Sequence, residues 1–181
     1  MLLYFIRHGQ TDWNKDMRMQ GQSDIPLNEN GRKSAIEAGK TLANTHIDLA
    51  FSSPLKRAKE TAELVLAGRD IPIIEDKRIE EICFGICEGM RGRDENGQPV
   101  GCFAEFFAHP EQYKAPENGE DAKMLCARTW NFLEDITTRE ELQDKSILIA
   151  THGAALQSMM LWVNKQPICD FWKSGLKKNC S

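Results

Sequence analysis

The chain has 181 residues, enough for one domain with a proper hydrophobic core. A net charge of -4 leaves no basic face for nucleic acid, and the short Lys177-Lys178 run does not supply one. No apolar stretch approaches the roughly 20 residues of a membrane span, and the N-terminal run lacks the basic flank of a signal peptide, so a cytoplasmic globular domain is expected.

The first predicted element is the apolar run Leu2-Leu3-Tyr4-Phe5-Ile6, which ends abruptly on Arg7, His8 and Gly9. A buried strand has no use for two basic side chains at its end. A polar loop over 10–27 follows, then a helix over about 28–44 with Ala35, Gly39, Leu42 and Ala43 on one face. "IDLAFS" at 47–52 reads as a second strand. Ser53 is placed as the N-cap of the next helix, Pro54 at its first position and Gly68 at its close. "IPII" at 71–74 is a short third strand. Residues 82–119 read as an irregular, loop-rich insertion with Gly85, Gly89, Gly92, Gly97 and Gly101 and the aromatic patch "CFAEFF".

A long helix is expected over about 120–137, with Leu125, Thr129, Phe132 and Ile136 on one stripe. "SILIA" at 146–150 is a strand and "GAALQSMMLWV" the helix after it. Strands alternating with helices predict an α/β domain over 1–181, built on a mostly parallel sheet covered on both faces. The six cysteines include no C-x-x-C pair and several fall in apolar patterns, so they are read as reduced core thiols.

"LLYFIRHG" and "SILIATHG" share one design: an apolar strand, one polar residue, then His-Gly. Ligands bind parallel sheets at the carboxyl ends of strands. If the two strands are neighbours, His8 and His152 meet there, and the glycine after each lets backbone or substrate approach closely. A single histidine at a strand end is commonly a hydrogen-bonded core or surface group, but two in the same context argue against that. His46 and His109 sit in loop-like surroundings and are read as surface residues.

"SSPLKRAKETA" places Arg57 in the first turn of a helix, where the dipole favours an anion and an arginine implies an exogenous one. The bland alternative is an exposed arginine beside the exposed Lys56 and Lys59. In "RIEEICFGICEG", Glu80 and Glu81 follow Ile79, and one of the two can point into the same pocket while the other stays solvated. Two arginines and two histidines around one point would repel one another without a dianion. Phosphate suits them, because guanidinium forks match its oxygens. A neutral imidazole is a competent nucleophile toward phosphorus, and a glutamic acid can protonate the departing oxygen.

The blocks "RHGQTDWN", "MQGQSDIPLNENG", "SSPLKRAKETA", "RIEEICFGICEG", "NGED" and "ATHG", in this order, resemble the histidine phosphatase superfamily in its phosphoglycerate-mutase-like branch. The resemblance implies a three-layer α/β/α fold and a metal-independent phosphomonoesterase without cofactor, acting on a small phosphorylated metabolite; the alternative is mutase-type phosphoryl transfer. It implies His8 as the nucleophile that becomes phosphohistidine, Arg7, Arg57 and His152 as phosphate-binding residues, and Glu81 as the acid/base, which chooses between Glu80 and Glu81. Asn14, Gln20, Gly21 and Gly153 would complete the phosphate pocket. Cys87 stands where members often carry Trp, and Asp121 where they carry Ser or Thr; both departures are expected near the substrate side. The family fold also implies an edge strand after "KKNCS", where this sequence stops at Ser181.

Two other classes compete. A zinc hydrolase using His8, His152, Glu81 and a cysteine finds no support in ligand spacing, and two arginines beside a cation are unfavourable. A phosphate-binding module without chemistry would use the same scaffold, yet a complete nucleophile and acid argue against it. Cys102, Phe103, Phe106, Phe107 and Tyr113 are expected to pack the insertion onto the core rather than line the pocket mouth. The sequence leaves oligomeric state open.

Overall fold

The computed structural model describes residues 1–173, 175 and 178–181; Lys177 of the basic run lies outside them. In chain order the main elements are β1 (Leu2–Arg7), α1 (Asp12–Lys15), α2 (Glu29–Thr41), β2 (Leu49–Ser52) and α3 (Lys56–Val65). Then come β3 (Ile73–Glu75), α4 (Ala104–Ala108), α5 (Ala122–Thr138), β4 (Ser146–Thr151) and α6 (Gly153–Val163). The strands form one sheet in the order β1-β4-β2-β3, and every pairing is parallel.

The period of two along each strand sorts the helices into two layers. Ile6, Ala50, Leu148 and Ala150 pack with Ala35 of α2 and with Ala62 and Val65 of α3 on one face. Leu49, Phe51, Ile147 and Ile149 pack with Phe132, Leu133 and Ile136 of α5 and Met159 of α6 on the other. The expected stripe on α5 is fully buried at Leu125, Thr129, Phe132 and Ile136. The result is a three-layer α/β/α arrangement with both sheet faces covered, as the near-continuous apolar strands require.

Three local expectations change. The polar loop over 10–27 contains α1, capped at Thr11, whose hydroxyl accepts from Asn14 N while the Asn14 side chain accepts from Thr11 N. Ser53 does not cap α3; the helix starts at Lys56 after Leu55 with no side-chain cap, and Pro54 precedes it. The Ser53 hydroxyl accepts from Leu55 N and bonds the His152 ring instead. The segment over 82–119 is also less irregular than its glycines suggest. Phe84, Phe103, Phe106 and Tyr113 are buried, with Phe106 in ring contact with Phe84, Tyr113 and Phe171. Packing is thus the role of most of that aromatic patch.

On the outer edge of β1, Cys180 N donates to Arg7 O and Arg7 N donates to Ser181 O. All six cysteines are free thiols. Among the described residues no helix is long and apolar enough to cross a membrane.

Candidate active site

β1 and β4 are adjacent, with Arg7 in register with Thr151, so His8 and His152 emerge side by side at the carboxyl end of the sheet. Their ring centroids are 5.2 Å apart. Gly9 is required here: a Cβ on it would lie 2.6 Å from the backbone oxygen of Gly31 in α2. Its N–H donates to Thr61 Oγ1 of α3, which anchors the loop to the neighbouring helix.

His8 Nδ1 lies 2.7 Å from Gly9 O. A carbonyl only accepts, so Nδ1 carries the proton and Nε2 keeps its lone pair. Burial, then the charges of Arg57 and Arg7, hold the His8 pKa well below the ordinary histidine value. His152 is held low as well, by burial first and then Arg57 and His8. Its Nε2 is 2.7 Å from Ser53 Oγ, while its Nδ1 is buried without a partner.

These two imidazoles predict a pH dependence of stability. Folded, each stays neutral where its unfolded counterpart takes up a proton near pH 6.5, so unfolding binds protons below that value. Stability is therefore full above pH 6.5 and falls as the pH drops through it, by about 1.4 kcal/mol per pH unit for each histidine until its folded pKa is reached. Denaturant midpoints at pH 7.5 and 5.5 check this, with the lower midpoint expected at 5.5. Equal midpoints would contradict neutral buried imidazoles.

Arg57 is fully buried, and burial lowers its pKa to about 10. Nη1 donates to Ser23 O and Nη2 to Gly21 O, while Nε has no partner. Arg7 is also shifted down by burial, with Glu81 opposing the shift. Desolvated guanidiniums this close to two imidazoles are costly unless an anion joins them.

Glu81 reaches the start of α6. Its Oε1 accepts from Ile82 N, Ala154 N and Ala155 N at 3.0–3.1 Å. It shares one cleft of about 200 Å³ with Arg7, His8, Asn14, Gln20, Gly21, Arg57 and Gly153. His152 sits behind His8 at 0% exposure and is not among the residues of the cleft wall. Glu80 is likewise absent from the wall, whereas Phe84, Phe107, Trp172, Arg18 and Arg93 continue it outward. His46 and His109 are exposed, as expected.

The two departures from the resemblance are expected near the substrate side, and the structure gives each a packing or capping role. Cys87 is buried in the aromatic cluster with Phe84 and Phe103, and Asp121 caps α5 by accepting from Met124 N. Neither lines the cleft.

Several positioning residues escape a reading of motifs. Glu88 accepts from Gln22 N and Phe84 N through Oε1, and from Ser23 N through Oε2, fixing the loop that also receives Arg57. Gly21 in that loop has φ +53°, and a Cβ there would collide with Glu88. Asn179 Nδ2 donates to His8 O at 2.8 Å. Arg128 binds the backbone around Glu81. Among the described residues no group of three or more His, Cys, Asp and Glu side chains could hold a metal ion.

A buried imidazole with a free Nε2 lone pair among buried guanidiniums, on a parallel α/β scaffold, suits phosphoryl transfer. The sequence profile of the histidine phosphatase superfamily (branch 1) matches residues 3–181, and the chain belongs to that superfamily, in its phosphoglycerate-mutase-like branch. It is 32% identical over 167 residues to a 2,3-bisphosphoglycerate-dependent phosphoglycerate mutase of Cytophaga hutchinsonii, covering 91% of this chain and 78% of the relative. The solved structure of Bacillus stearothermophilus YhfR superposes with a TM-score of 0.82 at 35% identity, covering 94% of this chain and 83% of that one. An alpha-ribazole phosphatase from Shigella flexneri gives 0.85 at 27% identity, covering 99% and 87%.

Proposed function

We propose that the protein is a metal-independent phosphomonoesterase working through phospho-His8 on a small phosphorylated metabolite. The observation that carries this reading is the His8 tautomer: Nδ1 is committed to Gly9 O, so a neutral Nε2 lone pair is available beside two guanidiniums. Nε2 attacks phosphorus, the P–N bond forms and the ester P–O bond breaks. Protonated Glu81 gives its proton to the leaving alkoxide. Water then attacks the phosphohistidine, its proton passes to the Glu81 carboxylate, and P–N cleavage releases phosphate and restores His8. Arg7 and Arg57 stabilise the equatorial oxygens, which is the main task in phosphoryl transfer, and the buried His152 ring packs against His8. Asn14 and the backbone at Gln20, Gly21 and Gly153 complete the pocket. No step uses a cofactor or a metal ion.

The size of the cleft supports a small substrate, since pockets for drug-sized ligands run about 300–1,000 Å³. Hydrolysis is favoured over isomerisation because the cleft opens past the exposed side chains of Met17, Arg18 and Arg93, giving water a path. A mutase must shield its phosphoenzyme from water while the intermediate turns over. The test uses 3-phosphoglycerate with trace bisphosphoglycerate and measures isomerised product against free phosphate. Free phosphate should dominate. Faster isomerisation would replace the phosphatase assignment with a mutase and leave the histidine chemistry in place.

A further inference from the structure

Glu81 lies in a stretch of chain that no sheet or long helix supports. It follows a short 3-10 turn over Lys77–Ile79 and precedes another over Gly85–Cys87. Carbonyls in such a segment need partners if their position is to be fixed. Here one side chain from a different layer supplies them. Arg128 of α5 donates through Nη1 to Arg78 O at 2.9 Å and Glu80 O at 2.7 Å, and through Nη2 to Glu81 O at 2.8 Å.

The same guanidinium forms a two-pronged pair with Glu120, Nε to Oε1 and Nη2 to Oε2, both at 2.8 Å. Every N–H of the arginine fork is thereby used. Glu120 closes the circuit: its Oε2 accepts from Cys83 N and its own N–H donates to Cys83 O. Both side chains are largely buried, at 18% and 16% exposure. Backbone before and at Glu81 is thus bolted to Arg128 of α5 and backbone after it to Glu120, just ahead of that helix, while its carboxylate is bolted to α6.

We infer that Arg128, oriented by Glu120, is the positioning residue for the Glu81 acid/base, setting where its carboxyl group stands relative to the leaving oxygen. The inference rests on the proposed role of Glu81. A lysine cannot replace the arginine, because a single ammonium cannot reach three carbonyls and a carboxylate in this fork geometry. An acid that is misplaced by an ångström loses most of its effect, although the nucleophile is untouched.

The experiment compares wild type, Glu81→Gln, Arg128→Lys, Glu120→Gln and the double variant Glu81→Gln/Arg128→Lys on two substrates. One has an alkoxide leaving group and needs the acid; the other is p-nitrophenyl phosphate, whose leaving group does not. Arg128→Lys should lower kcat on the alkyl ester by about 10–100-fold, within the span of general acid catalysis, and on the aryl ester by less than about 3-fold. KM should stay near the wild-type value for both. The double variant should be no slower on the alkyl ester than Glu81→Gln alone, since both changes remove one function.

Equal losses on both substrates, or additive losses in the double variant, would reduce Arg128 to a structural residue. If Arg128→Lys fails to fold, Glu120→Gln carries the same comparison with the arginine retained. A Glu81→Gln variant with no leaving-group selectivity would remove the acid from the proposed mechanism, and this inference with it. Selectivity in Glu81→Gln but not in the other variants would overturn the positioning role alone.

Discussion

Replacing His8 by alanine should lower kcat/KM toward every phosphomonoester by at least about 10⁴-fold, the scale on which a covalent nucleophile matters. The structure gives this residue no substitute. His152 is near enough to be considered, but it is fully buried, off the cleft wall, and bonded through Nε2 to Ser53. A water attacking directly would face the same phosphate without the P–N intermediate that splits the reaction into two easier steps. The measurement pairs turnover with acid-labile phosphate on the protein after rapid quenching. Both should vanish in His8→Ala while its thermal midpoint, removed from the cost of a buried imidazole, stays near wild type. A folded variant that still turns over would refute the phosphohistidine scheme.

Arg57→Met should cost about 10²–10³-fold in kcat/KM, the usual loss for one donor to a developing oxyanion. The case needs a control, because the two strongest bonds of this guanidinium go to the carbonyls of Gly21 and Ser23. Losing them would loosen the loop and lower stability for reasons unrelated to phosphate. Thermal shift with orthovanadate separates the two effects. An anion at one hundred times its Kd stabilises the folded state by about 2.7 kcal/mol, and this gain should disappear in Arg57→Met. A full vanadate shift in a destabilised variant would make Arg57 a loop clamp only. The unpartnered Nε and the depressed pKa favour the anion-binding outcome.

The strand pattern points to the two histidines, while Asn14, Gln20, Gly21, Gly153 and the choice of Glu81 over Glu80 come from the family resemblance. The repeated strand-His-Gly block, with apolar runs of the kind that belong to parallel sheets buried on both faces, would bring His8 and His152 together if the two strands were neighbours, and they are. Arg57, in the first turn of a helix, is open in sequence between an anion ligand and an exposed arginine, and its burial excludes the second. The hidden parts are those whose partners are backbone groups. Glu88 serves amides of Gln22, Ser23 and Phe84, and Arg128 serves carbonyls of Arg78, Glu80 and Glu81; neither meets a side-chain pattern that sequence spacing could expose. Ser53 misled for a related reason. Its hydroxyl fits the rule for a helix cap, but a histidine 99 residues away in sequence takes it. Four-residue α1 is too short for periodicity, although its Thr11 and Asn14 spell a capping pattern. Glycines over 82–119 suggested an irregular loop because φ is a local property, while the burial of Phe84 and Phe106 is a tertiary one.

The placement of β1 beside β4 has a consequence for biosynthesis. Leu2 pairs with Ser146 and Arg7 with Thr151, so the first strand made has no sheet neighbour until the last strand of the sheet is translated. At 5–20 residues per second the wait is roughly 7–30 s. Throughout it, "LLYFI" is an apolar segment with unpaired backbone groups, a template for mispairing with other nascent chains. The surroundings of His8 are finished last, because His152, Glu81's amide partners on α6 and the Asn179 bond to His8 O all arrive from late in the chain. A ribosome-bound fragment ending before residue 146 carries the RHG sequence without the strand that holds it in register.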